Sequence, residues 1–171
     1  MTETPASTSA RGSKLAFLLI TAAIVGLDRW TKGLIERSFD LGESRTVISG
    51  FFDLTHVRNT GAAFGLFARP EAGETSWLLT GLGLVALGAI GTYFVLTPAR
   101  ARLLLASLAL ILGGAIGNLI DRLVSGAVTD FLDFYVGSHH WPSFNVADSA
   151  ITVGIALMVI DSFRSREPTG G

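Results

Sequence analysis

Residues 103–134 read LLLASLALILGGAIGNLIDRLVSGAVTDFLDF, and this stretch decides the fold. Leu103 to Ile120 carries no charge. Asp121, Asp130 and Asp133 follow, then Asp148, and beyond it Ala150 to Ile160 is again uncharged. An apolar run of this length without charge reads as a membrane span. A carboxylate beside hydrocarbon loses hydration, so acidic residues at such a position are rare and mark function. Several together suggest a site that holds, shares or moves a proton.

The rest of the chain agrees with a membrane reading. Of 171 residues, 49% are apolar and only 16% are charged, fewer charges than a soluble domain of this length usually carries. The apolar residues come in blocks and not in amphipathic stripes. A net charge of −1 offers no basic face for nucleic acid. The absence of cysteine excludes disulfides, thiol nucleophiles and thiolate metal sites.

Four spans are expected: Leu15 to Leu27 continuing through Asp28, Trp30 and Lys32 to Ile35; Ser76 to Leu96; Leu103 to Ile120; and Ala147 to Phe163. Gly113, Gly114 and Gly117 give the third a small-residue face for close helix packing. The first has a rival reading as a secretory signal peptide, but Val25-Gly26-Leu27-Asp28 lacks an Ala-x-Ala-like cleavage site. Lys and Arg sort by loop: Arg11 and Lys14, then Arg100 and Arg102, then Arg164 and Arg166. The positive-inside rule puts these places and both termini in the cytoplasm. Loops 36–75 and 121–146 then face outward. Thr46 to Val57 reads as strand or hairpin, and Asn59-Thr60-Gly61 as a turn. Trp30, Trp77 and Trp141 fall near outer span ends, where indole favours the interface. The fold class is membrane α-helical, a four-transmembrane-helix bundle with a small β-rich extracytoplasmic loop subdomain. Residues 1–13 read as a disordered tail, 14–166 as one integral membrane domain, and 167–171 as a flexible tail.

Five short motifs could carry chemistry. Asn118, Asp121 and Arg122 close span three at helical spacings that share a face. They are either a polar helix end or groups that orient carboxylates and substrate carbonyls. Asp130 and Asp133 sit among Phe131, Phe134 and Tyr135, which exclude water and raise a carboxyl pKa. The plainer reading of each is a solvated cap, and it suits Asp133 better. Asp148 opens span four as a helix cap or as a reactive carboxylate, with Asn145 three residues before it. Asp28 and Lys32 are spaced to pair as a structural clamp. Asn59 to Gly65 is a plain turn or a loop whose backbone approaches an extended ligand.

Elimination narrows the chemistry. There is no Gly-x-Ser-x-Gly elbow, and a Ser–Lys dyad would have to use Lys32 or Lys14, of which Lys14 lies on the wrong side. Zinc lacks a His-Glu-x-x-His, and His139 and His140 are adjacent in sequence. Carboxylate chemistry remains, with or without a hard metal ion. Two carboxylates about 3 Å apart share one proton, and such a pair can activate water and polarise a carbonyl. Asp130 and Asp148 are the best candidates, each in a loop or helix start at the outer rim. A metal-dependent lipid head-group transferase would need more acidic residues on the cytoplasmic side, where the sequence offers only the scattered Glu3, Asp161 and Glu167. A small proton or ion transporter would place its aspartates mid-span, whereas these sit at span ends.

Five blocks, Asp28 to Lys32, Asn59 to Gly65, Gly113 to Leu123, Val128 to Phe134 and Phe144 to Ala150, resemble in order the lipoprotein signal peptidases (signal peptidase II). These are four-span aspartic proteases of the bacterial inner membrane. The resemblance implies that Asp130 and Asp148 are the catalytic dyad. Asn59, Gly61, Asn118, Arg122 and Asn145 would line the site, and Asp121 would support Arg122 or the helix end. Asp28 and Lys32 would be structural. No metal or cofactor is implied. The implied substrate is a prolipoprotein whose cysteine carries diacylglycerol, cut just before that cysteine at the outer face. A monomer among membrane phospholipid is the expected state.

Overall fold

The computed structural model describes residues 6–61 and 77–164. Among the described residues, four helices and four strands follow in the order α1 (Ala6–Ser38), β1 (Ser44–Ile48), β2 (Phe52–Asn59), α2 (Trp77–Leu96), α3 (Arg102–Ser125), β3 (Val128–Val136), β4 (His139–His140) and α4 (Val146–Arg164). Among the described residues, α2, α3 and α4 are long and apolar enough to cross a membrane. The 33-residue α1 carries Lys14, Asp28, Arg29 and Lys32 along its length.

α3 is the centre of the bundle and touches each of the other helices. Of its apolar window 61% is buried, against 17% for α2 and for α4, whose outward faces remain open to lipid. Leu105, Leu108, Ala109 and Leu112 pack with Phe94 of α2 as the core. Close approach of α3 to its neighbours depends on glycine. A Cβ on Gly114 would collide with the carbonyl of Ala147 in α4, and one on Gly117 would lie 2.6 Å from Asp28 Oδ2.

The segments between α1 and α2 and between α3 and α4 form one antiparallel sheet in the order β1-β2-β3-β4. β1 and β2 are the expected hairpin, turning at Gly50 with φ 78°. The pairing of β2 with β3 joins the two segments into one platform. Its register shifts once: Leu54 faces Leu132, but Val57 faces Asp130, so β2 holds one extra residue. A one-residue slip exchanges the faces of a strand. This bulge therefore puts Val57 and Asn59, and not Arg58, on the same face as Asp130.

Three boundaries differ from the sequence reading. The chain is helical from Ala6, so within the described residues the irregular tail expected over 1–13 is the start of α1. α1 runs on to Ser38, three residues into the loop expected from 36. α3 continues past Asp121 to Ser125, about one turn into the loop expected from 121, and stops where Gly126 takes φ 77°. The end of loop 36–75, and both chain tails, lie outside the described residues.

Candidate active site

The end of α3, the bulged β2–β3 pair and the start of α4 meet around an open cavity of about 870 Å³, lined by Asn59, Asn118, Arg122, Asp130, Trp141 and Asp148 among others. Asp130 lies within strand β3 and not in the loop that the sequence suggested, and it is 2% exposed. Strand geometry aims it at the cavity, since Val57 opposite and Asn59 diagonal to it share its face.

Two amides serve Asp130. Asn59 Nδ2 donates to its Oδ2 at 2.9 Å, and Asn145 Nδ2 donates to its Oδ1 at 2.7 Å. Asp148 Oδ1 accepts from Asn118 Nδ2 at 2.7 Å, and its Oδ2 accepts the Asn145 backbone N–H at 3.3 Å. Asn145 Oδ1 in turn accepts the Asp148 backbone N–H at 2.9 Å. The helix cap is therefore Asn145, and Asp148 is its reciprocal partner three residues on, which corrects the reading of Asp148 as the cap. Asn145 touches both carboxylates and is fully buried.

The Asp130 carboxyl is pushed up to about 7, first by burial and then by the negative charge of Asp148. The Asn59 and Asn145 hydrogen bonds and the more distant Lys32 pull the other way and do not cancel it. Near neutral pH this carboxyl is poised between its two forms.

The remaining expected residues divide. Arg122 lines the cavity, and its Nη2 donates to the Gly61 carbonyl at 3.4 Å. The Gly61 N–H donates to Asn59 Oδ1 at 2.9 Å, the expected turn. Ala62 to Gly65 lie outside the described residues. Of the two roles expected for Asp121, the structure places it at the helix end, where its Oδ2 accepts the Thr129 N–H at 3.4 Å. It is paired with Arg29 and, at 2.7 Å, with Lys32, and it faces α1 and not Arg122. Successive helical residues are about 100° apart, so Asp121 and Arg122 serve different neighbours. Asp28 and Lys32 pair at 2.8 Å, both fully buried. Asp28 Oδ1 also accepts the Ala147 N–H at 3.0 Å and so fixes the start of α4. Asp133, three residues from Asp130, pairs with His140 at 2.9 Å away from the cavity. Arg29 is the residue that the sequence reading missed. Its only signal was an unassigned cation beside Asp28.

A family model described as signal peptidase (SPase) II matches residues 20–164. The chain belongs to the signal peptidase II family. A lipoprotein signal peptidase of Cupriavidus taiwanensis is 50% identical over 150 residues, covering 88% of this chain and 82% of the relative. Another, from Syntrophus aciditrophicus, is 40% identical over 153 residues, covering 90% and 95%. A solved structure titled as a bacterial membrane enzyme obtained by the in meso method at 2.3 Å aligns with TM-score 0.72 and 30% identity over 91% of this chain and 94% of that one. The signal peptidase II fold thus accounts for the apolar helices and the small antiparallel sheet together.

Proposed function

We propose that this chain is an aspartic endopeptidase that removes the signal peptide from diacylglyceryl-modified prolipoproteins, with Asp130 and Asp148 as its catalytic pair. The observation that carries the reading is the convergence of a buried carboxylate, Asp130, and a half-buried one, Asp148, on one cavity, both bonded by Asn145. Membership of the signal peptidase II family supplies the substrate class.

The pair divides the work by environment. Asp148 lies in the first turn of α4, where the helix dipole favours an anion, and it accepts a hydrogen bond from Asn118. Asp130 holds the proton, as its pKa near 7 allows. Ionised Asp148 takes a proton from water, and the resulting hydroxide adds to the scissile carbonyl while protonated Asp130 donates to its oxygen. On collapse, Asp130 recovers its proton from that oxygen. The proton on Asp148 passes to the leaving amine, and the C–N bond breaks. One water is consumed, and the dyad returns to its starting form. Arg122 and Asn59 are placed at the rim to hold substrate backbone.

The topology follows from the same reasoning. α1 is the fourth span, because Asp28 and Lys32 are turned into the bundle and paired, sparing lipid any contact with them. Lys14 reaches the Val95 carbonyl at 2.6 Å, so it shares an end of the bundle with the α2–α3 turn that bears Arg100 and Arg102. That end is cytoplasmic by its charge, and the cavity at the opposite end faces outward across the inner membrane. A signal peptide helix can then present its cleavage point without leaving the bilayer.

The reading is tested with purified protein and a prolipoprotein carrying or lacking diacylglycerol. The lipidated form should be cut before its cysteine, EDTA should have no effect, and Asp130→Asn and Asp148→Asn should each abolish cleavage while the protein still inserts. Turnover by folded Asp148→Asn near the normal rate would refute the dyad. Loss of activity in EDTA would favour the transferase-like metal chemistry.

A further inference from the structure

Three asparagine side chains present their NH₂ groups to the carboxylate pair, and each is held that way round by a group that can only donate. Asn59 Oδ1 is occupied by the Gly61 N–H at 2.9 Å, which leaves Nδ2 for Asp130. Asn145 Oδ1 is occupied by the Asp148 N–H at 2.9 Å, which again leaves Nδ2 for Asp130. Those two locks are backbone groups. The third is a side chain: Lys32 Nζ donates to Asn118 Oδ1 at 3.0 Å, closer than the second donor to that oxygen, Asn145 Nδ2 at 3.3 Å, and Asn118 Nδ2 then faces Asp148 Oδ1 at 2.7 Å.

We infer that Lys32 is a positioning residue for the reaction: its ammonium fixes the orientation of the Asn118 amide, so that Asn118 donates to Asp148 and holds it as the base.

Chemistry makes the lock one-directional. An ammonium has three N–H donors and no acceptor, whereas an amide can donate from one end and accept at the other. A flipped Asn118 would set NH₂ against NH₃⁺ and a carbonyl against a carboxylate. Lys32 is ion-paired with Asp28 Oδ2 at 2.8 Å and with Asp121 Oδ2 at 2.7 Å, and it donates a hydrogen bond to Asn118 Oδ1. Arg29 also pairs with Asp121, so Arg29 and Lys32 already balance Asp28 and Asp121. The hydrogen bond from Lys32 to Asn118 is not needed for neutrality and sets the amide. Lys32 has no exposed surface, and at such a site an incorrectly placed polar atom has no water to turn to. The family motif around Lys32 therefore reaches the chemistry through one amide.

The proposal rests on Asp130 and Asp148 being the catalytic pair, so the experiment includes Asp130→Asn. If that variant still cuts, the dyad reading itself has failed. The main variant is Asp28→Asn with Lys32→Met in the full chain. It removes one charge of each sign, leaves Arg29 on Asp121, and keeps an acceptor for the Ala147 N–H. Cleavage of a lipidated prolipoprotein is followed across pH, with thermal unfolding as the check on folding. The ionisable groups around Asp148 are Asp130 on β3, Arg58 on β2, Arg122 on α3, and Lys32 with Asp28 and Asp121 beneath it.

The expected result is a folded protein with kcat lowered about 10- to 100-fold and KM little changed. The acid limb of kcat should move to higher pH, as Asp148 loses its donor. In an Asn118→Ala background the same double change should cost little more, because the route through Asn118 is already gone. An unchanged kcat and acid limb would overturn the proposal, as would losses that simply multiply with Asn118→Ala. Should the double variant not insert, Asn118→Asp decides. It keeps Asp28 and Asp121 on Lys32 but offers Asp148 no donor. Near-normal turnover overturns the proposal, and a folded protein with the acid limb moved upward supports it.

Discussion

Asp130→Asn should abolish cleavage and, at alkaline pH, make the protein more stable. The folded pKa of Asp130 is about 7 against an ordinary value of 3.8, and the side chain is 2% exposed. Between those two values the folded chain keeps a proton that the unfolded chain has lost. Stability from this group is therefore intact below pH 3.8 and is lost as the pH rises through 7. A gap of 3.2 units, from 7 minus 3.8, corresponds to about 4 kcal/mol once both states are ionised. The same linkage leaves a cost of about 1–2 kcal/mol at pH 5. Asparagine removes the titration, but it faces the NH₂ of Asn59 or Asn145 with an NH₂ of its own and so loses a hydrogen bond, about 1 kcal/mol. The net gain at pH 8 should be roughly 3 kcal/mol, and at pH 5 it should nearly vanish. Unfolding followed in detergent micelles at both pH values reads this directly. A variant whose stability difference from the parent is the same at pH 5 and pH 8 would refute the claim that Asp130 is held largely neutral in the fold.

Other outcomes follow from the same geometry. Activity should fall on the alkaline side with a midpoint near 7, as Asp130 loses the proton that polarises the carbonyl; a pH profile of kcat/KM flat to pH 9 would contradict this. Gly117→Ala drives a methyl toward Asp28 Oδ2, where the ideal separation is 2.6 Å, and should cost about 1–3 kcal/mol of stability, whereas Gly83→Ala, whose nearest neighbour is 3.7 Å away, should be neutral in thermal unfolding. Asp133→Asn should cut at nearly the parent rate, and His140→Ala should cost under about 1 kcal/mol, because their pair is half open to water and away from the cavity. Asn145→Ala should do both kinds of damage, stopping turnover and costing about 1–2 kcal/mol for the lost cap of α4, measurable by assay and by unfolding of the same preparation.

The parts of this protein legible in its residues are those set by short range. Uncharged runs mark helices because apolar length and backbone self-satisfaction in lipid are properties of the segment itself. The hairpin before Asn59, the Asp28–Lys32 pair and the candidate status of Asp130 and Asp148 come from spacing and local chemistry of the same kind. What lay beyond the sequence was every choice among partners. Asp121 could have paired with Arg122, its chain neighbour, but α1 delivers Arg29 and Lys32 to it across the bundle. Asn59 reaches Asp130 only because β2 carries an extra residue against β3. Asn145, and not Asp148, caps α4, which frees the carboxylate for the cavity. Carboxylates and amides have several possible mates at comparable energy. Only when helices and strands distant in the chain are packed together, with water excluded, does one set of hydrogen bonds become favoured over the others.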